Sequence, residues 1–298
     1  MNDDPTELLR KHGKSFNFAR LFLGSDTGIA AARLYRFCRI IDDIADESED
    51  KEIARTELDK LKDLIIDNRV NQVQVNDFLM LCEEYSIDRH HGITLIEGVS
   101  QDLDKVALTS AADLIQYAYR VAGVVGLMMA PILGANKTGY AFAIDLGIGM
   151  QLTNIARDVM EDARMQRRYL PAKWVNNASA EEILANGSSV QNTVQPAVKQ
   201  LLALAETYYQ SGLEGLYYLP PRNRRAIAIA AYIYRQIGRK LLKNQCQYWD
   251  QRTVVSTPHK MTLAGQALWA LRFSPMAKKV SPHDNELHIY LSNRSAHL

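Results

Sequence analysis

Hydrophobic residues recur along this chain at the three- and four-residue spacing of amphipathic α-helices. Sustained alternation of apolar and polar residues, which indicates a half-buried strand, is almost absent. The clearest helical stretch runs from Gly28 to Ile66, which has no Gly or Pro after its first residue and is rich in Ala, Leu, Ile, Arg and Glu. These residue types favour the helix, so the stretch predicts one or two long helices.

Helix boundaries are expected where Gly, Pro and Asn interrupt this pattern. Ser179, followed three residues later by Glu182, forms a capping box and predicts the start of a short helix. Other breaks fall at Gly92, Gly134 to Gly139, Pro171, Asn186-Gly187-Ser188 and Pro220-Pro221. Because no repeat and no long Pro-, Gly- or Ser-rich linker occurs, we expect one all-α domain over residues 1–298, with a loosely ordered polar tail over 275–298.

Composition narrows the class of protein. The chain has 298 residues, of which 47% are hydrophobic, enough for a substantial core. A formal net charge of +1 gives no support for a nucleic-acid partner. Three cysteines without metal-ligand spacing suit a reducing compartment. The first residues are acidic where a signal peptide would be basic, so we expect a cytoplasmic protein, with peripheral membrane contact left open and the oligomeric state unknown.

The first of two acidic stripes lies within Arg39 to Glu47. On a helix, Asp42 and Asp46 are i,i+4 neighbours on one face, and Asp43 and Glu47 form the adjacent row. Like charges at this spacing destabilise a helix by a few tenths of a kcal/mol per pair. A divalent metal relieves the repulsion and leaves coordination positions open for substrate phosphates. A solvated acidic face explains this segment, taken alone, equally well.

The second stripe reduces that ambiguity. Asn154, Asp158 and Asp162 stand at i, i+4 and i+8, a ladder of oxygen ligands that spans roughly 12 Å at the helical rise. The intervening apolar residues predict a helix packed in the core: Leu152, Ile155, Val159 and Met160. A polar stripe on a core helix is costly unless it lines a cavity or binds a ligand.

Each stripe also carries an arginine. Arg39 precedes Asp42 by three residues, and Arg157 directly precedes Asp158. A guanidinium at these positions can contact phosphate oxygens that the metal leaves uncovered. The two stripes together therefore indicate a site for divalent metal and phosphate.

Four segments, in order along the chain, resemble the phytoene/squalene synthase family, the head-to-head isoprenyl diphosphate synthases. They are His12-Gly13-Lys14-Ser15-Phe16, Tyr35 to Glu47, Tyr117 to Gly126 and Gln151 to Asp162. The acidic motifs alone also occur in head-to-tail prenyl synthases and terpene cyclases. The VAGxVG segment after Tyr117, together with the NxxRDxxED motif, is much more specific to the head-to-head family.

The resemblance implies a single helical bundle of the isoprenoid synthase type around a central apolar cavity. It also implies Mg²⁺, with Mn²⁺ as the alternative, bound by Asp42, Asp46, Asn154, Asp158 and Asp162. The residues implied in binding the isoprenyl diphosphate are His12, Ser15, Phe16, Arg39, Gln151, Asn154, Arg157, Tyr234 and Arg252. The catalytic residues would be Asp42, Asp46, Asp158 and Asp162, with Tyr35 and Tyr117 as aromatic neighbours of the allylic cation.

The similarity is greatest to bacterial phytoene synthases, which implies condensation of two geranylgeranyl diphosphates to phytoene through a cyclopropyl diphosphate, without NADPH. The main alternative is a C30 synthase that acts on two farnesyl diphosphates. A head-to-tail synthase shares only the metal motifs, and a non-catalytic relative would be expected to have lost its carboxylates. Ala32, on the helix face of Asp42 but deeper, is expected at the cavity floor, where a small side chain admits a fourth isoprene unit.

Overall fold

The computed structural model describes residues 4–68, 73–249, 252–273 and 282–291, and helices dominate this part of the chain. The helices are α1 (Pro5–His12), α2 (Lys14–Arg20), α3 (Ser25–Glu47), α4 (Lys51–Ile66), α5 (Val73–Tyr85), α6 (His90–Ser100), α7 (Ala111–Ala118), α8 (Val124–Ile132), α9 (Tyr140–Arg164), α10 (Ala180–Ala185), α11 (Ser188–Glu214), α12 (Pro221–Lys243) and α13 (Thr257–Phe273). Two short strands, β1 (Val106–Ala107) and β2 (Arg167–Arg168), pair in parallel. The predicted all-α class is confirmed.

Most predicted boundaries agree with these elements. The stretch from Gly28 to Ile66 forms α3 and α4, and the capping box is present at the start of α10. The predicted break at Gly92 is wrong, because this glycine is buried in the first turn of α6. A Cβ there would lie 2.7 Å from the Phe78 ring, so close packing rather than a turn requires the glycine.

Helix α9 lies at the centre of the bundle and packs against α8, α10, α11 and α12. Glycines bring its backbone unusually close to α8 and to the turn before it. A Cβ at Gly126 would lie 2.2 Å from the carbonyl oxygen of Ala143, and one at Gly147 would lie 2.3 Å from that of Ala122. These two glycines therefore permit close backbone contact between neighbouring helical segments.

A π-helical turn, Tyr119–Gly123, joins α7 to α8 and makes one continuous run from Ala111 to Ile132. Among the described residues, only this run is long and apolar enough to cross a membrane. Half of its most apolar window is buried inside the bundle. Core helices of globular proteins commonly meet the same criteria, so the run is weak evidence for a membrane span.

The polar tail is partly anchored, which differs from the expectation of loose order. Its described part is residues 282–291, here called the C-terminal segment, and the remainder of 275–298 lies outside the described residues. Tyr208 on α11 donates a hydrogen bond of 2.9 Å to the carbonyl oxygen of Leu287, and Leu291 is buried. The segment is held because its polar groups find partners on the bundle. The single-domain organisation stays a prediction.

Candidate active site

Two cavities meet between α3, the π-helical turn and α9. One is lined mainly by charged and polar groups, the other mainly by apolar ones, and each encloses about 280 Å³. That is far more than the roughly 30 Å³ of one water molecule, so each can hold part of a ligand. Asp42, Val121, Gln151 and Asn154 line both cavities and mark their junction.

The polar cavity brings together all five predicted metal ligands. Asp42 and Asp46 reach it from α3, and Asn154, Asp158 and Asp162 reach it from α9. The two stripes, more than 100 residues apart in sequence, therefore face each other across one space. That arrangement is what a shared metal site requires, and neither stripe alone could have indicated it.

Burial, together with neighbouring negative charge, raises the pKa of two of these carboxyl groups, Asp42 and Asp162. Burial raises the pKa of Asp42 to about 7, and the negative charge of Asp46 adds to the effect. Burial, followed by the charge of Asp158, raises the pKa of Asp162 well above its usual range. Raised carboxyl pKa values indicate a site that lacks positive charge, which a bound cation would supply.

Asp158 occupies a kink in α9. Its backbone angles, φ −106° and ψ 16°, leave the helical region, so the predicted ladder is not one straight row. The Arg157 guanidinium holds its carboxylate through two hydrogen bonds, one of them 2.7 Å from Nε to Oδ1. Arg252 adds two more, of 2.9 and 3.1 Å. Burial would raise the pKa of Asp158, but these arginine bonds outweigh it and lower the pKa.

Three of the polar side chains that line this cavity were not predicted as site residues: Asp102, Arg167 and Tyr169. The buried Asp102 accepts hydrogen bonds of 2.8 Å from the hydroxyls of Tyr117 and Tyr169, whose rings stack 4.6 Å apart. Burial raises the pKa of Asp102 to about 6, although Arg167 and the two hydroxyls act to lower it. Tyr117 thus lines the cavity as expected, but its hydroxyl is engaged by a carboxylate.

Arg167 links this network to the first acidic stripe. Its Nη1 lies 2.8 Å from Oδ1 of Asp46, and its Nε donates to the carbonyl oxygen of Asp102. Arg167 and Arg168, in β2, are both buried. Both residues belong to the strand pair with Val106 and Ala107, so this basic segment is held inside the protein and is not a solvated loop.

The polar groups at the junction fit a divalent cation. The Oδ1 atom of Asn154 is buried and, within the described structure, has no hydrogen-bond partner, while its Nδ2 contacts Gln151 at 3.3 Å. An unsatisfied buried oxygen is costly unless a ligand covers it. Together with four carboxylates, it provides the all-oxygen donor set that Mg²⁺ prefers.

The apolar cavity extends from this junction into the core. Its walls come from α8, α9, α11 and α12, and include Phe16, Tyr35 and Tyr234 near the polar end. The rings of Phe16 and Tyr234 lie 5.1 Å apart. Along α9 the lining runs from Asn154 to Phe142, about 18 Å at the helical rise. A long hydrocarbon chain can therefore lie beside α9 with its polar end at the junction.

Some predicted residues lie elsewhere. The Arg39 guanidinium is paired with Asp43 on the same helix and does not line either cavity. Ser15 is partly buried on α2, also outside both linings, and the side chain of His12 is not among the described ones. Ala32 is fully buried but does not line the apolar cavity, so its predicted position at the floor is wrong.

Comparison with known proteins identifies the family. The sequence model of the squalene/phytoene synthase family matches residues 9–259. The chain belongs to this family. Its members are prenyltransferases that bind isoprenyl diphosphates and use a divalent metal. The predicted family and enzyme class are therefore confirmed.

Individual relatives agree with that assignment. A 15-cis-phytoene synthase of Enterobacter agglomerans is 35% identical over 275 residues, which cover 86% of this chain and 92% of the relative. A phytoene synthase of Thermus thermophilus is 31% identical, covering 90% and 92%. A solved dehydrosqualene synthase is similar with a TM-score of 0.80 at 27% identity, covering 90% of this chain and 95% of that one. Squalene synthase HpnC of Alicyclobacillus acidocaldarius, at 19% identity and a TM-score of 0.69, shares the fold, covering 81% and 94%.

Proposed function

We propose that this enzyme condenses two geranylgeranyl diphosphates to phytoene through a cyclopropyl diphosphate. The observation that carries the proposal is the junction at Asp42, Gln151 and Asn154, where a carboxylate-lined cavity opens into an apolar one. Relatives named phytoene synthase, up to 35% identical over most of the chain, support the C20 substrate.

The depth and lining of the apolar cavity support the longer chain. Small residues line its inner half, among them Gly126, Ala130, Gly139 and Ala143. Ala143 lies eleven residues from Asn154 along α9, about 16 Å from the junction at the helical rise. Small side chains at that depth leave room for a fourth isoprene unit.

The polar cavity would hold the diphosphates. Arg157 and Arg252 have forked guanidinium groups next to Asp158 and are suited to contact phosphate oxygens. Arg167 supplies a further positive charge on the opposite side, beside Asp46. When diphosphate binds, these arginines would release their carboxylate partners and contact the phosphate oxygens instead. They would thereby orient the leaving group.

The proposed metal is Mg²⁺, bound by Asp42, Asp46, Asn154, Asp158 and Asp162. When bound, it would supply Lewis-acid neutralisation of the departing diphosphate. The protein's own part is to hold the reacting carbons at the junction and to exclude water from the allylic cation. Tyr35 and Tyr234 provide aromatic faces on the apolar side, where cation–π contacts are favourable.

The reaction balances without a reductant. The first half joins the two prenyl groups with loss of one diphosphate and one proton. The second half rearranges the cyclopropyl intermediate with loss of the second diphosphate and a second proton. Formation of squalene would instead require a hydride from NADPH. Dependence on NADPH therefore distinguishes a squalene product from phytoene.

The test is incubation of the purified enzyme with Mg²⁺ and either geranylgeranyl or farnesyl diphosphate, with and without NADPH, followed by mass spectrometry of the extracted lipid. We expect phytoene from the C20 substrate, unaffected by NADPH. An enzyme that turns over farnesyl diphosphate but not geranylgeranyl diphosphate would contradict the proposal.

The second candidate is a C30 synthase, favoured by the 27% identity and TM-score of 0.80 to a dehydrosqualene synthase. In that case dehydrosqualene or squalene, rather than phytoene, would be the main lipid. The same incubation separates the two candidates.

We also propose a cytoplasmic enzyme in peripheral contact with a membrane. Met261, Trp269 and Phe273 lie along one side of α13 and are 62–66% exposed, and the rings of Trp269 and Phe273 lie 5.6 Å apart, so they form a grouped apolar surface of the kind that contacts membranes. Cosedimentation with lipid vesicles should fall when Trp269 and Phe273 are both changed to Ser. Equal sedimentation of the variant would contradict membrane contact through α13.

A further inference from the structure

Asp145, His283 and His288 form a cluster outside the polar cavity. The Asp145 carboxylate on α9 is fully buried, and Nε2 of His283 and Nε2 of His288 lie 2.8 Å from its two different oxygens. The Ser211 hydroxyl on α11 donates to the same carboxylate at 2.5 Å. Asp145 is nine residues before Asn154 on α9, about 13 Å from it at the helical rise. The cluster is therefore separate from the active site.

The donor set differs from that of the active site. Two imidazole nitrogens and one carboxylate oxygen lie within 4.8 Å of one another, so side-chain rotations can bring them onto one ion. Zn²⁺ takes such mixed nitrogen and oxygen ligands in four-coordinate sites, with a hydroxyl or water in the remaining position. Mg²⁺ prefers oxygen alone and is poorly suited to two imidazoles.

The second nitrogen of His283 indicates how its ring is protonated. Nδ1 lies 3.2 Å from Oδ1 of Asn285, and an amide oxygen can only accept, so Nδ1 carries a proton. A neutral His283 then presents the lone pair of Nε2 to a carboxylate oxygen at 2.8 Å. Two acceptors at this distance need a shared positive centre, which is either a second proton on the ring or a metal ion that draws both atoms towards itself. Burial lowers the pKa of His283, but the hydrogen bond to Asp145 outweighs it and raises the pKa, so the proton is the competing explanation that the experiment must separate from the ion. Metal-binding histidines commonly donate their other nitrogen to such an oxygen.

We propose that Asp145, His283 and His288 bind a transition-metal ion of the Zn²⁺ class, which fastens the C-terminal segment to α9. The segment contacts the apolar cavity only from behind its wall. The His283 ring contacts the ring of Phe142 edge-on at 5.2 Å, and Phe142 lines that cavity. The ion would thus hold the wall at the deep end in place.

The first test measures Zn²⁺ binding to the full chain. Metal is first removed with a chelator, and Zn²⁺ is then titrated in excess Mg²⁺ while a chromophoric chelator competes for it. We expect one equivalent to bind, and His283→Ala or His288→Ala to weaken binding tenfold or more. Asp158→Asn, in the polar cavity, and His90→Ala, at an exposed histidine, serve as controls that retain binding. Binding unchanged by both cluster variants would overturn the proposal.

The second test separates a metal ion from a proton. His288→Gln keeps an N–H donor for Asp145 but removes the imidazole ligand. Hydrogen exchange of residues 282–291 should slow when Zn²⁺ is added to the wild type, and should not respond to Zn²⁺ in this variant. Exchange in the wild type that is equally slow with and without Zn²⁺ would show that a proton suffices. Neither test measures prenyl transfer, so each outcome is independent of the proposed reaction.

Discussion

Replacing Asp42 with Asn is expected to stabilise the metal-free enzyme at about pH 8 while abolishing turnover. Burial and the nearby charge of Asp46 raise the pKa of Asp42 to about 7. Above that pH the carboxylate is ionised in surroundings that disfavour its charge. Asparagine has nearly the same shape and carries no charge, so it removes the unfavourable interaction together with the metal ligand.

The size of the expected stabilisation follows from the shift in the pKa of Asp42. A rise from 3.8 to about 7 corresponds to roughly 4 kcal/mol of unfavourable interaction in the ionised state. Because Asp42 is only partly buried, solvent screening reduces this value, and we expect a gain of about 1–2 kcal/mol. For a protein of this size that is an increase of about 2–5 °C in Tm.

The sign of the pH dependence is fixed by the same shift. Unfolded Asp42 releases its proton near 3.8, whereas the folded group holds it to about 7. The folded state binds more protons between these values, so this group lowers wild-type stability as pH rises through that window. Asn does not titrate. The advantage of the variant should therefore be small near pH 4, grow towards pH 7 and stay constant above it.

The assay is thermal unfolding after dialysis against EDTA, repeated with Mg²⁺ and inorganic diphosphate. Metal and diphosphate should raise the Tm of the wild type and not that of Asp42→Asn. The matched control is Asp43→Asn, because the carboxylate of Asp43 is paired with Arg39 and does not line the polar cavity. The control should gain no stability. A metal-free Asp42→Asn protein less stable than the wild type at about pH 8 would refute the electrostatic reasoning.

Three further changes test the packing and the site. Gly126→Ala places a Cβ 2.2 Å from the carbonyl oxygen of Ala143 and should lower the free energy of unfolding by about 1–3 kcal/mol in urea titrations. Ala143→Phe should shift the product from C40 towards C30, measured by mass spectrometry, while an unshifted product would show that this wall does not limit chain length. Arg252→Ala removes two hydrogen bonds to Asp158 and should reduce kcat/KM about ten- to a hundredfold, with Arg252→Lys restoring little.

The acidic stripes could be predicted from the sequence because their signal is local. Asp42 and Asp46, or Asn154 and Asp158, are neighbours on a helix whatever the rest of the chain does. The facing of the two stripes is not local, and it came from the family resemblance. The same resemblance predicted that Arg39 binds the diphosphate. In the structure its guanidinium is paired with Asp43, four residues later on the same helix, and lies outside both cavities.

The contacts that sequence analysis missed join residues that lie far apart in the chain. Asp102 acquires its environment from Tyr169, 67 residues away, and its own segment has no distinctive pattern. The carboxylate at the Asp158 kink is held by Arg252, 94 residues away. His283 meets Asp145 across 138 residues, so a polar tail without periodicity still becomes anchored. Local periodicity cannot report such contacts, and only the folded arrangement brings these groups together.

Protons and metal compete for the same carboxylates in this site. A metal ligand must be deprotonated, and burial raises the pKa of Asp42 to about 7, with that of Asp162 also raised. Affinity for Mg²⁺ should therefore fall as pH drops below about 7, by up to tenfold per pH unit for each proton displaced. Calorimetric titration of Mg²⁺ with inorganic diphosphate across this range measures the dependence. An Mg²⁺ affinity that stays constant from about pH 8 to pH 6 would mean that these carboxyl groups are already ionised without metal. Their burial would then raise their pKa values less than the structure implies.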